Sequence, residues 1–266
     1  MSLWSLLDKA AVIVRRDALT ALRYRAGFAL GAGGAISELA AFYFLSRAVG
    51  PGFRPEGVEY FPFLLIGTGF YTFLLMGVHA FLDAVQQAQQ TGTLEVLMTT
   101  STSPPVLIFL SALSAFAVNT VTLAFYLIMG LVFGAALHPN VTASIAVFLL
   151  SILLAVAIGL LAAAVQLSIQ KGTAVVWALG SVWFLTGTMF PVGALPHWLR
   201  AVSAAIPITH SLDGMRMALL EGLSLTQITG KLLILVAFAV VLLPTSLAFF
   251  SWTLRRARQQ GTLSFY

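Results

Sequence analysis

The side chains best suited to chemistry are few and far apart. Histidines stand at His79, His138, His197 and His210, too scattered to suggest a metal site, so each reads as an interfacial or hydrogen-bonded residue. The chain has no cysteine, which removes disulfides, thiol catalysis and thiolate metal ligation and leaves the redox compartment open. A phosphate-binding loop needs G-x-x-x-x-G-K-[ST], because its backbone N–H groups cradle the phosphates. Here Gly230-Lys231 runs into Leu232, and no glycine stands at the upstream offset. Neither a nucleophile with its base nor an acid–base pair assembles itself. The most conspicuous carboxylate in an apolar stretch is Glu38, and its meaning depends on the element that carries it.

That element is a membrane helix. The 266 residues are 59% hydrophobic and 9% charged, with mean hydropathy +0.97, whereas a water-soluble domain carries about 25% charged residues. A helix crosses roughly 30 Å of hydrocarbon with about 20 apolar residues, and the runs here are of that length or longer. Six spans are expected, near Gly27–Val49, Tyr60–Leu82, Pro104–Leu137, Val141–Ile169, Thr173–Phe190 and Leu232–Leu254. Ser103 before Pro104 and Pro105 marks the start of the third, as an N-cap hydroxyl followed by proline. Asp83 marks the inner end of the second. Asn140-Val-Thr142 also fits the glycosylation pattern, a short match in a small loop.

Lys9, Arg15, Arg16, Arg23 and Arg25 precede the first span, and Arg255, Arg256 and Arg258 follow the last. Both termini are therefore expected in the cytoplasm of a multi-pass cell-membrane protein. The same bias explains the net charge of +5, since no aromatic interleaving or nucleic-acid motif accompanies the basic residues. Residues 1–25 read as an interfacial amphipathic helix. Leu3, Leu7, Val14 and Leu22 recur on one face, with Lys9, Arg15, Arg16 and Arg23 on the other toward anionic headgroups. Gly27, Gly31 and Ala35 form a small-residue ridge on the first span, and Gly130 and Gly134 repeat the spacing on the third, permitting close helix contact.

Two stretches between spans are more specific. The polar connection 83–103 contains Gly92-Thr93-Leu94-Glu95, where Gly92 can cap a short helix that Glu95 supports from its third position. Leu94, Leu97 and Met98 then share one face, an apolar knob suited either to a groove on a soluble partner or to the membrane interface. The second stretch, 191–222, is cut by Pro191, Pro196 and Pro207 into pieces too short to span. Within it Thr209 can cap a helix, Asp213 and Arg216 are spaced to pair at i, i+3, and Gly222 terminates. Broken helices at membrane depth need protein or a water-filled cavity around them, so a pair of short re-entrant helices is expected at the outer mouth.

At these residues the chain resembles the membrane subunits of ABC exporters of the type-2 class, among them polysaccharide, lipid and drug exporter permeases. Gly92-Thr93-Leu94-Glu95, followed by a Leu, Thr, Ser and Pro run, is similar to that family's loop after its second helix. Phe190-Pro191 through Leu195-Pro196, with Pro207, His210, Asp213, Arg216 and Gly222, is similar to its signature before the last helix. Gln89, Gln90 and Thr91 stand where members often carry a charged residue. The layout resembles the family over nearly the whole chain, an all-α single membrane domain.

The resemblance implies a permease with no catalytic residue and no cofactor or metal of its own. It implies two copies, or one copy and a homologous permease, around a central pathway. Each would sit on a separate ATP-binding subunit that binds ATP and Mg. Gly92, Thr93, Leu94, Glu95, Leu97 and Met98 would form the coupling helix, braced by the N-terminal helix, and Phe190 through Arg216 an outer gate. Glu38, near the middle of the first span, costs on the order of 3 kcal/mol at the bilayer centre when charged. It either lines the pathway or bonds across the dimer, or it is a locally paired or protonated carboxyl near the interface. Aromatic residues are 12% of the chain and belong by default to lipid-facing belts. If Phe70, Trp177 and Phe184 line the pathway, the cargo is amphipathic: a lipid, a lipid-linked glycan or a hydrophobic drug. The rival reading is a stand-alone secondary transporter, which would normally show internal repeats and several intramembrane ionisable residues.

Overall fold

A computed structural model describes residues 25–90, 104–169, 177 and 180–260. The chain is helical, with no strand among the described residues. Long helices run over Arg25–Val49 (α1), Tyr60–Gln90 (α2), Pro104–Val132 (α3) and Val141–Ile169 (α4). Two short ones follow, His197–Ala204 (α5) and Pro207–Leu219 (α6), before Thr229–Gln260 (α7). Among the described residues five helices are long and apolar enough to cross a membrane, α1 to α4 and α7.

The span boundaries differ from the sequence expectation at several ends, including both ends of α7, which runs from Thr229 to Gln260 rather than Leu232 to Leu254; three of the differences have a local reason. α3 stops at Val132, five residues before Leu137. Gly134 there takes φ +91°, and the Ala135 N–H bonds the Gly130 carbonyl at 3.0 Å, a left-handed C-terminal closure. α2 continues past Asp83 to Gln90, because nothing in Ala84-Val85-Gln86-Gln87 breaks a helix. The expected fifth span does not stay helical to Phe190. Trp183–Thr186 is a 3-10 turn, and Gly187 at φ +78° reverses the chain ahead of Pro191.

α2 is the hub. It runs antiparallel to α3, and small residues let the two backbones close. A Cβ on Gly77 would collide with the Phe116 ring, one on Gly69 with Tyr126, and one on Gly130 with Leu65. In lipid such close approach, not hydrophobic exclusion, holds helices together. On its other side α2 packs on α4, where Phe73 stacks on Phe148 at 5.1 Å between centroids and Phe81 fills the space opposite Gly159. α4 in turn carries the broadest contact of the bundle, with α7. Asn140 caps α4, its side-chain oxygen accepting from the Ala143 N–H at 3.2 Å and the Thr142 hydroxyl at 2.8 Å.

α1 is attached differently. Leu39 is fully buried against Phe61, Leu65 and Tyr126, and Tyr43 meets Phe61 edge-on at 5.7 Å. Most of the helix is otherwise exposed. Gly31, part of the expected ridge, has nothing within 4 Å of a Cβ placed on it.

Candidate functional site

The end of the bundle where α2 begins and α3 ends carries the re-entrant pair. The three prolines act as the sequence suggested. Pro196 immediately precedes α5, Pro207 takes the first position of α6, and Pro191 is extended before a short turn at Val192–Ala194. A proline at the first helical position leaves no needed N–H unmade. Thr209 is not the cap of α6. The helix starts one turn earlier, at Pro207 after Ile206, and the Thr209 N–H bonds the Ile206 carbonyl at 3.1 Å.

Hydroxyls and cations bind the turns around the pair. The Thr186 and Thr188 hydroxyls lie 2.7 Å apart, and the Trp183 carbonyl stands within reach of both, at 2.7 and 3.1 Å. Ser203 on α5 donates to the Leu185 carbonyl at 2.6 Å. Arg200 reaches back to the carbonyls of Leu195 and Gly193. Nε2 of His210 on α6 bonds the Ala204 carbonyl at 2.8 Å, joining the start of one short helix to the end of the other.

Arg216 is the centre of the arrangement. It is only 2% exposed. Its Nη2 donates to the carbonyls of Gly187 at 2.8 Å and Thr188 at 3.0 Å, and its guanidinium lies 3.6 Å from the centroid of Phe63 on α2. One side chain thus joins α6, the turn after Trp183 and the hub helix, through charge-assisted bonds and a cation–π contact. The room comes from Gly67. A Cβ there would collide with both the Thr188 carbonyl and Nη2 of Arg216. Burial lowers the Arg216 pKa to about 10, with Glu56 and Asp213 opposing the shift, so the group stays a cation at neutral pH.

Asp213 does not pair with Arg216 as the i, i+3 spacing suggested. Its carboxylate takes Lys231 at the start of α7, 2.9 Å away, because the Arg216 side chain turns toward the carbonyls of the neighbouring turn. The far end of α6 is closed from outside the helix. The N–H groups of His138 and Asn140, between α3 and α4, bond the carbonyls of Leu219 and Ala218 at 2.8 and 2.9 Å, which satisfies acceptors that a helix end leaves free. Gly222 adopts φ +66° beside the His138 carbonyl, as expected of a terminator.

The remaining candidates are placed apart. Phe70 is buried, stacked on Phe73 at 6.0 Å, whereas Trp177, Phe184 and Phe190 are exposed. Glu38 lies on the exposed side of α1, next to buried Leu39. Gly92, Thr93, Leu94, Glu95, Leu97 and Met98 lie outside the described residues, as do Lys9, Arg15, Arg16 and Arg23. Sequence reasoning missed Gly67, Ser203 and Lys231 as parts of the site. The run Gly67-Thr68-Gly69 inside an aromatic helix was the available signal for the first. Among the described residues no group of three His, Asp or Glu could hold a metal.

The arrangement is an internally bonded cap on a helix bundle. Comparison with curated proteins gives no match. The family model described as ABC-2 family transporter protein matches residues 50–248, which runs from before α2 into α7 and includes α5 and α6. The chain belongs to the ABC-2 transporter family, and it is a membrane-spanning permease of an ABC transporter.

Proposed function

We propose that this permease works as half of an ATP-driven exporter, paired with a second copy or a homologous permease and driven by separate ATP-binding subunits. The observation that carries the reading is the match to the ABC-2 family transporter protein over residues 50–248. Nucleotide binding on the ATP-binding subunits can shift the permease only by favouring one of its states. Gly92 to Met98 form the coupling helix, with Leu94, Leu97 and Met98 seated in the groove of the ATPase. The antiparallel packing supports this side as the cytoplasmic one. The ends of α2 and α4 and the start of α3 emerge there together, with the Arg255, Arg256 and Arg258 end of α7.

The region from Phe190 to Arg216 is the outer gate, and the exposed aromatic surface of Trp177 and Phe184 faces an amphipathic cargo in the plasma membrane. The decisive experiment reconstitutes the chain with its ATP-binding subunit in vesicles and follows a fluorescent lipid or hydrophobic dye. ATP-dependent efflux that disappears in Leu94→Asp/Leu97→Asp is the expected result. Proton-driven flux by this chain alone would establish the secondary transporter instead. Alanine at Trp177 and Phe184 should alter the cargo profile; an unchanged profile and rate would remove these residues from the pathway.

A further inference from the structure

A cleft of about 520 Å³ opens where α1 ends, α2 begins and α3 ends. Tyr43, Arg47, Phe53, Arg54, Tyr60 and Phe133 line it. Three helix ends at one level mark the boundary between hydrocarbon and water, the depth at which aromatic rings and snorkelling arginines concentrate. The lining of the cleft does not include Arg216.

Its two cations are available. Arg47 donates one bond to the Tyr43 hydroxyl at 3.1 Å, which leaves most of its fork exposed. Arg54 has no side-chain hydrogen bond or ion pair among the described residues, and its backbone precedes the 3-10 turn Pro55–Gly57 without a side-chain cap. The carboxylate of Glu59 also borders the cleft. Two guanidinium groups against one carboxylate leave one net positive charge. The adjoining surface is apolar, with Phe44 on α1 and Leu131 and Val132 at the end of α3 all exposed.

We propose that this cleft binds the phosphate headgroup of a phospholipid of net charge −1 from the adjacent leaflet, its acyl chains lying along the exposed apolar residues of α1 and α3. Guanidinium forks match phosphate oxygens in pairs, and a headgroup with one net negative charge balances the lining. A zwitterionic headgroup brings its own ammonium or choline cation toward the arginines and gains less. Neither the identity of the cargo nor ATP coupling enters this binding.

The test is native mass spectrometry of the full chain in detergent, titrated with phosphatidylglycerol or phosphatidylcholine. Preferential retention of phosphatidylglycerol is expected. Arg47→Gln/Arg54→Gln should weaken that retention roughly tenfold or more, since each charge-assisted bond lost counts for about that factor. Glu59→Gln should strengthen it several-fold, a gain that a misfolded variant would not produce. Millimolar inorganic phosphate should leave the bound lipid in place. Equal retention of the two lipids, no change in the double variant, no gain with Glu59→Gln, or displacement by free phosphate would each overturn the assignment.

Discussion

α1 and α2 are both apolar helices of membrane length, yet 78% of the most apolar window of α2 is buried within the chain and only 11% of that of α1. Hydropathy does not account for the difference. Lipid tails are as apolar as leucine, so a greasy helix gains little by leaving them. What α2 has is close backbone approach at Gly69 and Gly77, stacked aromatics, and a buried cation that it shares with α6. α1 has one buried leucine and the ring contacts of Tyr43 with Phe61 and Phe133. The lesson is that in this bundle geometry and polar staples decide which helix is core, while the loosely attached helix keeps a face for lipid or for another chain.

The comparison can be broken most directly at its strongest staple. Arg216→Ala strands the Gly187 and Thr188 carbonyls and removes the contact with Phe63, so a loss of about 3 kcal/mol is expected. Thermal unfolding in lipid nanodiscs measures it. Arg216→Lys should recover only part, because a point charge cannot reproduce the planar contact on the ring. Stability equal to wild type in Arg216→Ala would show that the cap is held by something else.

Next come paired glycine substitutions. Gly67→Ala pushes a methyl into the Thr188 carbonyl and should cost about 2 kcal/mol, whereas Gly31→Ala meets open space in this chain and should be neutral or better by up to about 1 kcal/mol. A Gly31→Ala variant that folds normally but no longer assembles into dimers, judged by mass photometry, would assign that ridge to a second copy. Equal destabilisation by both would erase the distinction between the two helices.

A smaller effect is expected at the ion pair between α6 and α7. Asp213→Asn should lose about 1 kcal/mol, since the pair is partly exposed. A double-mutant cycle with Lys231→Met isolates the coupling; a coupling of zero would leave the pair without a structural role.

The smallest expected effect is one of pH. Glu56, exposed at the surface in the turn before α2, has its carboxyl pKa raised above 4.5, chiefly by partial desolvation, with Arg216 pulling the other way. A raised carboxyl pKa means that the folded protein binds the proton more tightly than the unfolded chain does. Its contribution to stability is therefore complete below about pH 4.5 and fades as pH rises through the folded value. Glu56→Gln should flatten this part of the stability profile; an identical profile in the variant would mean that Glu56 does not titrate there.

The sequence alone determined the solvent, the helical class and most span starts, because hydropathy over about 20 residues is a local property and proline and glycine set element ends by their own backbone limits. Pro104, Val141 and Gly222 were legible for that reason, whereas the start of α6 at Pro207 was misplaced onto Thr209. Arg216 stood out in the sequence as a cation among the prolines of 191–222, but not by what it holds. Its acceptors are backbone carbonyls 28, 29 and 153 residues upstream, and every residue has a carbonyl, so no side-chain pattern announces them. Only the tertiary structure could turn Asp213 away from its neighbour on the same helix and onto Lys231, open the space at Gly67, and leave Gly31 bare. Each of those outcomes depends on which surfaces meet across the bundle, and sequence spacing on a single helix does not encode that.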